Sequence, residues 1–137
     1  MIDHFSMPVS DYAASKAFYT EAFKPLGWTM LMEVSAAQTE DGVQACGFGA
    51  TEPAFWIFGG TVGDPCHVAV RVDSRKGVEA CHAAALQAGA KDNGAPGLRP
   101  HYGETYFAAF VHDLDGHNVE AVCYAAESGS PPLSTSR

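Results

Sequence analysis

At 137 residues the chain has the length of one domain and enough material for a single substantial core. Apolar residues make up 47% and charged residues 18%, which argues against intrinsic disorder. Sixteen acidic residues against eight basic ones give a net charge of -8 with no basic cluster, so a nucleic-acid partner is excluded on electrostatic grounds.

The opening "MIDHFSMPVSD" has neither the basic start nor the apolar stretch of a secretory signal. No run approaches the roughly 18 apolar residues of a membrane span. A cytoplasmic protein without a membrane partner is expected. Within Ile2 to Val9 the residues alternate, with Phe5, Met7 and Val9 on one face of a strand and Ile2, His4 and Ser6 on the other. Ser10 or Asp11 can cap a helix whose stripe is Ala14, Ala17, Phe18 and Ala22, ending near Pro25 and Gly27. Strands follow around Trp28 to Glu33, Val43 to Phe48 and Ala54 to Phe58. The unit is βαβββ.

The pattern then restarts. "CHVAVRVDS" is a strand with Val68, Val70 and Val72 on one face, and Asp73 or Ser74 can cap a helix carrying Val78, Cys81, Ala85 and Leu86, closed by Gly89. A strand from Ala90 to Asn93, a loop "NGAPGLRPHYGE", and a hairpin of Tyr106 to Val111 with Asn118 to Tyr124 complete a second βαβββ. In "DLDGHNVE", Asp113 to Gly116 is the hairpin turn, with Gly116 at positive φ. An offset of 63 superposes His4 on His67, Val9 on Val72 and Ile57 on Glu120. The chain is therefore expected to be α+β, one domain over residues 1–124 built from modules 1–62 and 63–124, with a flexible tail over 125–137. Cys46, Cys66, Cys81 and Cys123 are widely spaced, which predicts reduced, buried thiols.

Alternation places His4, His67 and Glu120 on the face of each sheet that a helix does not cover. A glutamate between Val119 and Val122 in a strand is costly unless paired or bound to a metal. Two imidazoles and one carboxylate form a facial set for a divalent transition metal (Fe, Mn, Zn, Ni or Co) with positions left open. His82 is expected on the helix surface and His112 and His117 in solvent beside the turn. The "GAPG" run lacks the glycine spacing of a phosphate loop.

The duplication, "IDHFSMPVSD" with "AFYTEAF", "HVAVRV" and "FVHDLDGHNVEAV" together resemble the vicinal oxygen chelate superfamily, over residues 1 to about 124. That superfamily holds glyoxalase I, extradiol dioxygenases, fosfomycin-modifying transferases and bleomycin-resistance proteins. The "NGAPGLRPHY" and "GHNVEAVCY" segments resemble small bacterial glyoxalase-like proteins. The resemblance implies tandem modules with open barrel-like sheets and metal ligands at His4, His67 and Glu120. It also implies bidentate chelation of a small molecule through adjacent oxygens, stabilising an enediolate- or oxyanion-like intermediate, and a homodimer. Glyoxalase I has a fourth ligand, a Glu in the last strand of the first module, and Ile57 takes that place here. Fosfomycin-type enzymes have a Tyr where this chain has Phe110, and Arg99 stands nearest to a basic pocket. Extradiol enzymes add an acid/base beside the metal, for which His101, Tyr102 and Tyr106 are candidates, with Glu120, His101 and Tyr106 as catalytic groups. Trp56 and the acidic charge suit the alternative of a metal-free, bleomycin-resistance-type protein that sequesters a small aromatic ligand.

Overall fold

In a computed structural model, which describes residues 1–126, the chain forms two four-stranded sheets, each with one helix. The predicted flexible tail lies, from residue 127 onward, outside the described residues. In the first sheet β1 (Phe5–Val9) pairs in parallel with β4 (Phe55–Gly59), which runs antiparallel to β3 (Ala45–Gly49), which in turn pairs with β2 (Thr29–Val34). The second sheet repeats that order with β5 (His67–Arg71), β8 (Asn118–Cys123), β7 (Phe107–His112) and β6 (Lys91–Leu98). The sheets are separate and open. Pro8 is tolerated because β1 is an edge strand and needs no second ladder partner.

Asp11, of the two candidate caps, closes the start of α1 (Tyr12–Ala22) by accepting the Ala14 N–H. Ser74 does the same for α2 (Arg75–Gln87) through the Gly77 N–H. The first helix ends in a 3-10 turn with Gly27 at φ 73, a left-handed position that suits glycine. Two strand boundaries need correction. The strand predicted to stop at Asn93 continues to Leu98, because irregular pairing around Gly94 and Gly97 lets the chain keep its ladder with β7. His4 precedes β1 rather than lying within it.

The principal core joins both modules. Phe18 and Tyr19 of α1 pack with Met7, Val9, Phe48, Phe55 and Ile57, and the same cluster takes Val70, Ala85, Val111 and Val119 from the second module. A smaller cluster joins Val78 of α2 to Val72, Ala109 and Cys123. The four cysteines are free thiols, three of them buried. Burial pushes the Cys81 thiol up to about 11, so it stays protonated. No described helix is long and apolar enough to cross a membrane.

Polar bonds fasten the seam between the modules. The buried Asp113 carboxylate accepts the Tyr19 hydroxyl from α1 and the N–H groups of Asp115 and His117 from its own turn. Gly116 in that turn has φ 87, as the sequence predicts. His117, expected in solvent, is only 1% exposed. Its Nδ1 accepts the Cys66 N–H at 3.0 Å, so Nε2 carries the proton and donates to the Pro8 carbonyl at 2.9 Å. A neutral imidazole thus ties β1 to the start of β5. His82 is also less exposed than its helix position predicts, because its ring turns to Asp92 at 2.9 Å. His112 is half-buried in β7.

Candidate functional site

Glu120 is the anomaly of the second sheet: a carboxylate in the middle of a strand, 2% exposed. Alternation on β8 sends Val119 into the core and Glu120 to the face that α2 does not cover. One carboxylate oxygen is 2.9 Å from Nε2 of His67, and the other accepts the Tyr106 hydroxyl. Burial and the Glu120 carboxylate hold the Tyr106 phenol well above its ordinary value, so it stays a donor through the neutral range. The His67 side chain is 53% exposed, which leaves its ring reachable from solvent.

Around that pair the open face is aromatic. Tyr106 meets Tyr124 edge to face at 5.3 Å and Tyr102 at 5.3 Å, and the His101 ring lies 4.1 Å from Tyr102 at the rim. On the other side Phe110 pairs in register with Glu120 and lies 6.1 Å from the His67 ring. The Arg99 guanidinium covers Phe110 at 5.3 Å and donates to the carbonyls of Ala95 and Gly97. It braces the irregular strand β6. Of the residues singled out from sequence, His67, Glu120 and Tyr106 are brought into contact, and Tyr102 and His101 extend from Tyr106 outward.

His4 stands apart. It is exposed, bonds Asp3 at 2.6 Å, and lines a cleft of about 720 Å³ between the edge strands β1 and β5, whose opposite wall includes His67, Ala69 and Arg71. Among the described residues no three His, Cys, Asp or Glu side chains are grouped closely enough to hold a metal ion. One chain therefore presents an imidazole and a carboxylate together, with the second imidazole across the cleft.

The fold has known relatives. The sequence profile of the Glyoxalase/Bleomycin resistance protein/Dioxygenase superfamily matches residues 1–121. The chain belongs to that superfamily. Solved members share its architecture at low identity. A glyoxalase/bleomycin resistance protein from Albidiferax ferrireducens T118 superposes with a TM-score of 0.67 at 21% identity, covering 88% of this chain and 96% of that one. A glyoxylase/bleomycin resistance protein/dioxygenase domain from Frankia sp. EAN1pec gives 0.67 at 18% identity, over 90% and 96%. An E144Q glyoxalase I mutant from Zea mays gives 0.66 at 21% identity over 88% of this chain, which spans 46% of the maize chain. Sequence comparison with curated proteins gives no match.

Against the glyoxalase I pattern of this superfamily, strand register changes one assignment. A constant offset of 63 set Ile57 opposite Glu120, yet Ile57 is 0% exposed and faces the core. Ser6 pairs with Trp56 and Ala69 with Glu120, so 63 residues separate the first-strand partners but 64 separate Trp56 from Glu120. The extra residue lies in the β7–β8 hairpin, because Trp56 also pairs with Gly47 and Glu120 with Phe110. Trp56, rather than Ile57, is the counterpart of Glu120. It lies across Gly47 on the first sheet and is not part of the cleft wall with His67.

Sequence reasoning passed over Tyr124 and Arg71 as parts of the open face. Alternation alone could have found them. Arg71 is four residues beyond His67 in one strand, and Tyr124 four beyond Glu120, so each pair shares a face.

Proposed function

We propose that the chain is a divalent-metal-dependent glyoxalase-like or dioxygenase-like enzyme acting on a small molecule with adjacent oxygens. The supporting observation is Glu120: a buried carboxylate positioned by Tyr106, touching His67, on a face that opens to solvent. The donor chemistry fits a divalent transition metal such as Fe, Mn, Zn, Ni or Co, with His67 and Glu120 as adjacent ligands and His4 as the third. When bound, the metal would supply Lewis-acid polarisation of the substrate oxygens.

The chain's own residues have separable tasks. Tyr106 fixes the carboxylate plane of Glu120 and keeps its proton. His101, exposed at the rim beside Tyr102, is available for proton exchange with a substrate crossing the tyrosines. His4 joins His67 and Glu120 either as β1 closes on β5 or from a second copy, which makes a homodimer part of this reading. The four free thiols suit a reducing, cytoplasmic location.

The test is metal content. Protein purified without chelator should carry about one transition metal per chain, and His67→Ala and Glu120→Ala should each remove it. Unchanged content in both variants sinks the proposal. A second reading is supported by Trp56 standing where the first module would otherwise carry a carboxylate: a metal-free protein that sequesters a planar aromatic ligand. Under that reading, ligand-induced fluorescence quenching persists in chelator and in Glu120→Gln.

A further inference from the structure

Basic groups are scarce in this acidic chain, and several of those described are already engaged. Lys16 reaches Glu33, Lys24 reaches Glu21, and Arg99 is bonded to two carbonyls. Arg71 is different: among the described residues its side chain makes no ion pair and no hydrogen bond. It is exposed, lines the cleft that His67 also lines, and its guanidinium sits 4.7 Å from the centre of the Tyr124 ring.

The placement relative to the site is specific. Ala69 pairs with Glu120, and Arg71 with Val122, so Arg71 stands one step further along the same face. Four residues of strand separate the His67 and Arg71 backbones by about 13 Å, and the Arg71 guanidinium is held over the Tyr124 ring. The surface between is continuous: Glu120 accepts from Tyr106, Tyr106 meets Tyr124, and Tyr124 carries Arg71. Tyrosine rings offer stacking area to a planar ligand, and a guanidinium held on an aromatic ring retains its in-plane donors for an oxyanion. The net charge of -8 otherwise opposes anions, so one unpaired cation on this face dominates their recognition.

We infer that Arg71 with the Tyr106–Tyr124 wall forms a subsite for small planar carboxylates, the carboxylate on Arg71 and the far end of the molecule at His67 and Glu120. This rests on the reading of the open face of the second sheet as the substrate face, and it names the class of substrate. It assigns Arg71 as a specificity residue and Tyr124 as its support.

Benzoate and benzamide test it, because they share a shape and differ in charge. Each is titrated calorimetrically into the protein as purified and again after chelator treatment, with metal content measured in parallel. Benzoate should bind at least about tenfold tighter than benzamide in both preparations, a difference of about 1.4 kcal/mol. Arg71→Met should erase that preference, Arg71→Lys should restore part of it, and Tyr124→Ala should weaken both ligands together. A preference that survives Arg71→Met, or one confined to metal-bearing protein, overturns the inference. So does wild-type protein that binds benzamide as well as benzoate, or neither compound. Absence of metal from the purified protein would count against the catalytic proposal alone, since the comparison after chelation is still readable.

Discussion

Trp56 and Glu120 occupy matching places in the two sheets, one filled by an indole and the other by a carboxylate. The swap is matched by the cross-strand partner: Gly47 faces Trp56, and Phe110 faces Glu120. A Cβ added at Gly47 would fall 2.6 Å from Cε2 of Trp56 and 2.7 Å from Cβ of Pro53, so the indole is accommodated only because Gly47 has no side chain. Gly47→Ala should therefore destabilise the protein by about 1–3 kcal/mol in urea unfolding. The loss should be smaller in a Trp56→Ala background, with Pro53 accounting for what remains. Equal losses in both backgrounds would show that the indole does not set the cost.

Tyr106→Phe tests whether the phenol positions Glu120. Removing the hydroxyl leaves one oxygen of a buried carboxylate without its donor, which should cost about 1–3 kcal/mol of stability. If Glu120 is a ligand, metal affinity should also fall about 10- to 100-fold, as losses of outer hydrogen bonds to ligands typically do. A chelator-competition titration reads the second effect. Lowered stability with undiminished metal affinity would assign Tyr106 to the fold alone.

Most of the architecture was legible in the sequence because both modules obey simple periodicities. The caps, the alternating strands and the hairpin turn at Asp113 to Gly116 are local signals, and each survives in the structure. Glu120 was legible for the same reason, since a charge between buried valines has few cheap explanations. What failed was register. A single extra residue in the β7–β8 hairpin inverts the alternation between modules, so a constant offset chose Ile57 over Trp56. His117 was missed for a different reason. Its burial comes from β1, more than a hundred residues away, and nothing beside it in the sequence announces the Pro8 carbonyl or the Cys66 N–H.

The seam predicts its own energetics. His117→Phe keeps the ring volume roughly but orphans the Cys66 N–H and the Pro8 carbonyl, and should cost about 2–4 kcal/mol as two unmet backbone groups. Tyr19→Phe should cost about 1–3 kcal/mol by removing a hydroxyl from the buried Asp113 carboxylate. Hydrogen exchange separates the two variants from general loosening. Amides of β1 and of Cys66 should lose protection selectively in His117→Phe, while β7 amides change least. Uniform loss of protection across both sheets would mean that His117 does not act as a local tie.

The acid side of the stability profile should carry a contribution from Glu33. Lys16 donates to its carboxylate and Tyr12 donates beside it, and these bonds hold the Glu33 pKa below the ordinary glutamate value. Because the folded value is the lower one, the unfolded chain takes up this proton first as pH falls. The contribution is therefore complete above the ordinary glutamate range, roughly pH 4.3, and is lost as pH drops through the lowered folded value. Wild type and Glu33→Gln, compared by urea unfolding across acid pH, should differ most near neutrality and converge below that range. The pair is partly solvent-exposed, so salt should shrink the difference at every pH. A gap that stays constant down to the acid limit would show that Glu33 acts through packing rather than through its charge.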